Sequence, residues 1–173
     1  AVGNALEYLE NIDEGSFDTV LCLGMLYYTT EPYRLLKLML RAAKETVILD
    51  TFTAAYAAIQ GKEAPQVYEN VNEETLKLPI LLTALTQPEK KDYTLPHSFD
   101  YRSKDLSLIT LPSAELLEIW FQSLNAQFKK MDWSTYGTRP CTYHDLLTPD
   151  QKKSSHWADV YTSGIRVSYL LHK

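Results

Sequence analysis

The sequence predicts an α/β fold whose sheet carries a reversed strand near one edge. Two apolar runs, residues 18–24 and 45–52, have the length and composition of buried strands. Residues 33–44 lie between them with helical periodicity, and strand, helix, strand at this spacing is typical of a parallel βαβ unit. Residues 127–136 and 164–173 also have strand character, and since no helix separates them we expect them to pair antiparallel.

Local signals support each element of the βαβ unit. The consecutive apolar residues from Val20 to Leu23 suit a parallel strand covered on both faces. The helix has a threonine of the Thr29–Pro32 turn available as N-cap and Pro32 in its first turn, where proline is tolerated. The second strand, "ETVILDTF", is rich in β-branched residues. One face of the helix carries its apolar side chains, which are Leu35, Leu36, Met39, Ala42 and Ala43.

The rest of the chain is predicted as an insertion, a helix and the two closing strands. Residues 53–111 are expected to form a helical insertion over the sheet, because "NEETLKLPILLTAL" contains helical segments interrupted by Pro79. Ser113 then caps a helix within residues 111–124. Residues 1–173 are thus interpreted as one domain. In the helix within residues 111–124, the apolar stripe is Leu117, Trp120, Phe121 and Leu124. In the last strand, Val167, Tyr169 and Leu171 alternate with Ser168 and Leu170.

Composition excludes several classes of protein. At 173 residues, with 45% hydrophobic and 23% charged residues, the chain has the size and make-up of one globular domain. No apolar run reaches the roughly 18 residues that a membrane span needs, and the first residues lack a signal-peptide pattern. The two cysteines, Cys22 and Cys141, form no disulfide framework, which favours a cytoplasmic setting. The net charge of −5, without a long basic block, argues against nucleic-acid binding by this segment alone.

A ligand site is predicted where the first strand ends, in "LGMLYY". Ligands of open α/β sheets lie outside the carboxyl ends of the strands. Gly24 removes a side chain at that point, so that a ligand can approach the backbone. The next four residues, Met25 to Tyr28, offer apolar surface and hydroxyl donors, the usual lining of a small-molecule site. A simple bend at Gly24 followed by core-capping residues remains the alternative.

The sequence gives weaker evidence for other functional sites. Cys141 and His144 form one C-x-x-H pair, with His156 and Asp159 farther along, but a zinc site needs paired spacing, so no metal is expected. Cys22 lies inside a strand and is interpreted as an inert core thiol. Asp50 ends the second strand, where a catalytic carboxylate and an exposed or hydrogen-bonded strand-end aspartate are both open. Near the terminus, a substrate mouth or ordinary packing are both open for Trp157 and Tyr161.

Residues 2–52, "VGNALEYLENIDEGSFDTVLCLGMLYYTTEPYRLLKLMLRAAKETVILDTF", resemble the second half of a class I S-adenosylmethionine-dependent methyltransferase. The matching features are Asn4-Ala5 at a strand end, Phe17-Asp18 before an apolar strand, and the helix and "VILDT" strand that follow. The resemblance implies a Rossmann-like methyltransferase sheet, and within that family "FDTVLCLGMLYYTTEP" is most similar to the tRNA wobble-uridine carboxymethyltransferase group.

This resemblance implies a set of cofactor-binding residues. In the group, the tyrosine matching Tyr27 and the arginine matching Arg166 hold the extra carboxylate of carboxy-S-adenosylmethionine. A guanidinium fork and a phenol donor suit a carboxylate. No catalytic residue is assigned, because such a transfer needs positioning and desolvation more than a specialised base. The other residues that the resemblance places at the cofactor pocket are Asn4, Ala5, Leu6, Leu23, Gly24 and Met25.

The sequence also departs from the family pattern. Leu23 and Tyr28 replace the group's methionine and histidine, and no glycine-rich cofactor loop is present. The amino-terminal half of the fold, with that loop, is therefore expected to lie outside this sequence, so that the fragment alone binds cofactor poorly. Contacts with tRNA are expected of segments outside this chain, and an exposed sheet edge would favour a homodimer. The alternatives are a small-molecule methyltransferase and a non-catalytic Rossmann-like binding or dimerisation module.

Overall fold

A computed structural model describes residues 3–56, 73–86, 99–101, 104–133, 160–161 and 163–173. The helices are α1 (Ala5–Glu10), α2 (Pro32–Ala42), α3 (Glu73–Leu76) and α4 (Ala114–Ser123). A short 3₁₀ turn covers Leu26–Tyr28. The strands are β1 (Phe17–Leu23), β2 (Ala43–Phe52), β3 (Leu81–Thr86), β4 (Phe99–Tyr101), β5 (Lys104–Pro112), β6 (Gln127–Lys130) and β7 (Arg166–His172).

Within the described residues, the larger sheet has four strands in the order β1-β2-β7-β6. β1 and β2 are parallel and are joined by α2, which confirms the predicted βαβ unit. β7 runs antiparallel to β2 and to β6, which confirms the reversed last strand and the antiparallel pairing of the two closing strands. The fold is therefore mixed α/β, as predicted.

The main core lies between one face of this sheet and helices α1, α2 and α4. Along β7 every second side chain is turned to that core, as predicted for Val167, Tyr169 and Leu171. α4 begins at Ser113, whose hydroxyl accepts a hydrogen bond from the Leu116 amide, so the predicted N-cap is confirmed. α2 has Pro32 in its first turn as predicted, but its N-cap is Glu31 rather than a threonine. The Thr29 hydroxyl instead accepts a hydrogen bond from the Glu31 amide, at 3.1 Å.

β1 is not the doubly covered strand that its apolar run predicted. Cys22 is buried, but Leu21 and Leu23 are 61% and 56% exposed. Among the described residues β1 pairs only with β2 and is therefore an edge strand. The face of the sheet that carries Leu21 and Leu23 has no cover over them within the described part of the chain, which explains their exposure.

In its described part, the middle of the chain also differs from the helical insertion that we predicted. Its described part forms a second, three-stranded antiparallel sheet, β3-β5-β4, with only the four-residue helix α3 before it. Pro79 cannot donate a helical hydrogen bond and disfavours helix in the residue before it, so α3 ends at Leu76. The segment after it, "LLTALT", pairs with β5 as strand β3. The longest helix among the described segments, α2, has 11 residues, and none of them could cross a membrane.

Candidate ligand site at the carboxyl ends of the parallel strands

Gly24 forms the turn at which β1 ends. Its φ of +70° is in the left-handed region, which glycine adopts without the penalty of a Cβ atom. Its amide donates a hydrogen bond to the carbonyl of Asp50 at 2.9 Å, which ties the ends of β1 and β2 together. The chain then enters the 3₁₀ turn, where Leu26 and Tyr27 are buried. The predicted bend is thus present, and it folds Tyr27 back over the strand end.

Gly24 lies next to two hydrogen-bond donors. A Cβ atom added there would lie 3.4 Å from Nη2 of Arg166 and 3.4 Å from the hydroxyl oxygen of Tyr27. These donors come from the 3₁₀ turn and from the start of β7, which are far apart in sequence. The structure therefore brings together three of the predicted site residues, Gly24, Tyr27 and Arg166.

Aromatic rings form the wall of this site. The Tyr27 ring is 4.4 Å from that of Tyr28 and 5.1 Å from that of Phe52, between centroids. Phe52 in turn stacks on Tyr56 at 4.3 Å, and the Cζ atom of Arg166 lies 4.9 Å from the Phe52 centroid. A guanidinium over a ring face is a favourable cation–π contact. Phe52 and Tyr56 were not among the predicted site residues.

The second sheet closes the apolar side of the site. Ile109 and Leu111 of β5 are buried in one cluster with Tyr27. The Thr110 hydroxyl donates to the carbonyl of Thr29 at 2.7 Å, which holds β5 against the turn that follows Tyr28. Burial, followed by the charge and hydrogen bond of Tyr28, raises the pKa of Tyr27 well above its usual range. Tyr27 is therefore a neutral phenol that can donate a hydrogen bond at physiological pH.

Asp50 is the centre of a buried polar network on the same side of the sheet. Its side chain is 9% exposed and forms an ion pair with Arg166, whose Nε and Nη2 both contact Oδ1. Oδ2 accepts hydrogen bonds from the hydroxyls of Tyr161, at 2.9 Å, and Ser168, at 2.6 Å. Trp133 extends the network, because its Nε1 donates to the Ser168 hydroxyl at 3.2 Å and its ring stacks on Tyr161 at 4.7 Å.

The charges of this network compensate each other. Burial opposes the charge on Arg166, but the hydrogen bond and negative charge of Asp50 outweigh it and raise the pKa of the guanidinium. Burial, followed by the hydrogen bond to Asp50, raises the pKa of Tyr161. Charges at this depth are tolerated when they are paired and hydrogen-bonded, as both are here. For Asp50, the hydrogen-bonded interpretation is confirmed. Tyr161 lies against that carboxylate, and Trp157 falls outside the described residues.

The other predicted cofactor residues lie in two places. Asn4 is the N-cap of α1, where its side-chain oxygen accepts a hydrogen bond from the Leu6 amide at 3.0 Å. Ala5 and Leu6 are half-buried against the main core in the first turn of that helix. Leu23 and Met25 flank Gly24 and are more than 45% exposed, at 56% and 48%. Their assignment to a cofactor pocket stays a prediction.

The remaining candidate groups are the thiol of Cys22 and the possible metal ligands. Cys22 is 2% exposed, and burial raises the pKa of its thiol to about 11, as expected for a core cysteine without a nucleophilic role. Within the described residues, no three histidine, cysteine or acidic side chains cluster as metal ligands would. Cys141, His144, His156 and Asp159 lie outside the described residues.

Comparison with known proteins gives one kind of match. No protein-family model and no curated protein sequence matches this chain. Among solved structures, the chain is similar to one described as a crystal structure of a SAM-dependent methyltransferase from Archaeoglobus fulgidus. The sequence identity is 10% and the TM-score is 0.45, over 100% of this chain and 66% of the other. This chain thus spans just under two thirds of the length of that structure.

Proposed function

We propose that the protein is an S-adenosylmethionine-dependent transferase, which moves a methyl group or, with a carboxylated cofactor, a carboxymethyl group. The observation that carries this proposal is the meeting of Gly24, Tyr27 and Arg166 at the carboxyl end of β1. This is the edge at which open α/β sheets bind their ligands. The sequence resemblance assigns the same tyrosine and arginine to the cofactor.

The residues present suit a carboxylate at this point. The donor atoms of Tyr27 and Arg166 both lie 3.4 Å from the Cβ position of Gly24, so they are close enough to each other to bind one carboxylate. A charged guanidinium and a neutral phenol are both donors, and charge-assisted hydrogen bonds are the stronger kind. The aromatic rings around Phe52 flank these donors, and polar contacts are stronger in such apolar surroundings than in water.

The cofactor supplies an activated carbon bound to a sulfonium, and the protein's residues supply position. Tyr27 and Arg166 would hold its carboxylate end, and Gly24 would let it approach the backbone. In this role the site discriminates a carboxylated cofactor from the plain one. Transfer to a nucleophile then depends on alignment and exclusion of water rather than on a dedicated base.

The acceptor proposed from the resemblance is a hydroxyl group on a modified wobble uridine of tRNA. With a net charge of −5, this chain would leave the electrostatic contacts with tRNA to other segments. Incubation of the full-length protein with isotope-labelled cofactor and tRNA, followed by mass spectrometry of the nucleosides, tests this acceptor. Label in small hydroxylated compounds but not in tRNA would refute it.

Calorimetric titration of both cofactor forms tests the proposed function itself. The full-length protein that carries this sequence is titrated with S-adenosylmethionine and with its carboxylated form. We expect tighter binding of the carboxylated form, and loss of that preference in Arg166→Ala. A hydrogen bond to a charged group contributes about 1.5–3 kcal/mol, so the preference should fall by roughly 10-fold to 100-fold.

Two variants sharpen this titration. Tyr27→Phe keeps the ring and removes the phenol donor, so it should reduce the preference less than Arg166→Ala does. Arg34→Ala is the matched control, because Arg34 is an exposed arginine of α2 paired with Glu10 and Glu31. Equal binding of the two cofactors would leave a plain methyltransferase. Binding of neither would refute the enzyme and leave a non-catalytic binding module.

A further inference from the structure

The position of Arg166 depends on one buried carboxylate. The Arg166 side chain is only 11% exposed, and its Nε and Nη2 both contact Oδ1 of Asp50. The same Nη2 is the atom that lies next to Gly24. The guanidinium therefore contacts Asp50 through one edge while that edge's outer nitrogen faces the proposed ligand position.

The Asp50 carboxylate is itself fixed from several sides. In the sheet register Asp50 lies directly opposite Ser168, and Phe52 lies opposite Arg166, so Asp50 and Arg166 are diagonal neighbours on one face. The hydroxyls of Ser168 and Tyr161 hold its second oxygen, and the Gly24 amide holds its backbone carbonyl. A side chain with this many fixed partners has little freedom to move.

An arginine without such a partner would not keep this position. Its side chain has several rotatable bonds and a large rotamer entropy, and an unpaired buried charge is strongly unfavourable. The cation–π contact with Phe52 attracts the guanidinium but does not pair its charge. Loss of the Asp50 charge should therefore let the guanidinium turn away from Gly24 toward water.

We propose that Asp50 is a positioning residue, which orients Arg166 so that the site prefers a carboxylated ligand. This inference rests on the proposed function and goes beyond it, because it assigns the selectivity to a residue that does not itself touch the ligand. The hydroxyls of Tyr161 and Ser168 in turn hold the Asp50 carboxylate in position. Asp50 acts only through the guanidinium of Arg166, because their ion pair fixes the position of this second donor beside Tyr27.

The test uses the full-length protein and its Asp50→Asn variant. Asparagine keeps the size and one acceptor oxygen but removes the charge. The measured quantity is the ratio of the dissociation constants for plain and carboxylated S-adenosylmethionine, with affinity for the plain form as internal control. We expect the ratio to fall by about 10-fold to 100-fold, the range seen when outer hydrogen-bond partners of metal-binding side chains are removed. Asp50→Glu should restore part of it.

A control and a second variant keep the test decisive. Asp18→Asn makes the same chemical change in an exposed ion pair with Lys44 and should leave the ratio unchanged. If Asp50→Asn does not fold, Tyr161→Phe removes one donor to Asp50 and keeps the ion pair. It should lower the ratio by a smaller factor, and an unchanged ratio in Tyr161→Phe would then overturn the inference.

A readout without ligand separates this inference from the proposed function. In ¹⁵N-labelled protein, we expect the Nε–H of Arg166 to exchange with water much more slowly than that of exposed Arg34, and to lose this protection in Asp50→Asn. Fast exchange in the wild-type protein overturns the positioning inference whatever the protein binds. If Arg166→Ala abolishes the cofactor preference but Asp50→Asn keeps it, the positioning inference fails and the proposed function stands. If the wild-type protein binds the two cofactor forms equally, the positioning inference fails and a plain methyltransferase remains. If it binds neither form, both fail.

Discussion

Replacement of Gly24 by alanine separates backbone strain from loss of the ligand site. Gly24 has a φ of +70°, and a non-glycine residue in this conformation costs about 1–2 kcal/mol. The new methyl carbon would lie 3.4 Å from both Nη2 of Arg166 and the Tyr27 hydroxyl, an ordinary contact without a clash. The expected loss of unfolding free energy is therefore that of the backbone alone, about 1–2 kcal/mol.

Gly164 provides the matched control for this change. Its φ is +77°, and a Cβ atom added there would meet nothing within 4 Å. Gly164→Ala should therefore lower the unfolding free energy by the same amount as Gly24→Ala, about 1–2 kcal/mol. For a chain of this size each kcal/mol lowers the Tm by roughly 2–4 °C, so both variants should melt about 2–8 °C below the wild-type protein. Thermal unfolding followed by circular dichroism measures both.

Ligand binding should distinguish the two variants. In the full-length protein, the methyl group of Gly24→Ala would lie against the donor atoms of Tyr27 and Arg166 and hinder a carboxylate from reaching them, so the carboxylated cofactor should bind at least about 10-fold more weakly, a loss of about 1.4 kcal/mol. Gly164→Ala should bind it as the wild-type protein does. Equal affinity of the two variants would refute the placement of the carboxylate over Gly24. An unchanged Tm in both would refute the argument from backbone strain.

Three further predictions concern the core and its ionisable groups. Leu36→Ala should lower the unfolding free energy measured in urea by about 2–5 kcal/mol, because Leu36 is fully buried. Leu21→Ala should change this free energy by no more than about 0.5 kcal/mol, because Leu21 is exposed, and similar losses in the two variants would contradict the described core. Burial, then the hydrogen bond to Glu118, raises the pKa of Tyr169 above its usual range. The stability it contributes is thus complete below about pH 10 and lost as pH rises further, so Tyr169→Phe should show a smaller alkaline loss of unfolding free energy than the wild-type protein. With the other cysteine replaced, Cys22 should resist thiol reagents at about pH 8 until the protein unfolds, because burial raises its pKa to about 11; labelling of the native protein would contradict this.

Elements fixed by short-range signals could be predicted from the sequence. The βαβ unit, with Pro32 in the first turn of α2, and the α4 cap at Ser113 depend on residues within a few positions of each other. The antiparallel pairing of the closing strands was predicted because no clear helical pattern was recognised in the sequence between them and because β7 shows period-2 alternation. In each case the local preference and the final packing agree, so a single sequence is sufficient.

Burial of a strand depends instead on what covers it. The run around Leu21 is apolar enough for a covered strand, yet Leu21 and Leu23 are exposed because β1 is an edge strand among the described residues. The segment Leu81–Thr86 has a composition that suits either helix or strand, and its pairing with β5 decides the outcome. Short apolar segments do not carry this information, because tertiary partners determine their structure.

The candidate site combines residues that are close in sequence, which could be predicted, with residues that are distant in sequence, whose contact could not be predicted. Gly24 and Tyr27 are three residues apart, and their relation follows from one turn at the end of β1. Asp50 and Arg166 are 116 positions apart, and they meet only because of the register between β2 and β7. A slip of one residue would place β7 side chains on the opposite face and break the ion pair. The one local sign was a polar Ser168 between two core residues of β7, and it gains meaning only when that register places it opposite Asp50. A resemblance to known proteins can therefore indicate Arg166 as a ligand-binding residue, but the residue that holds its guanidinium in place becomes visible only in the folded chain.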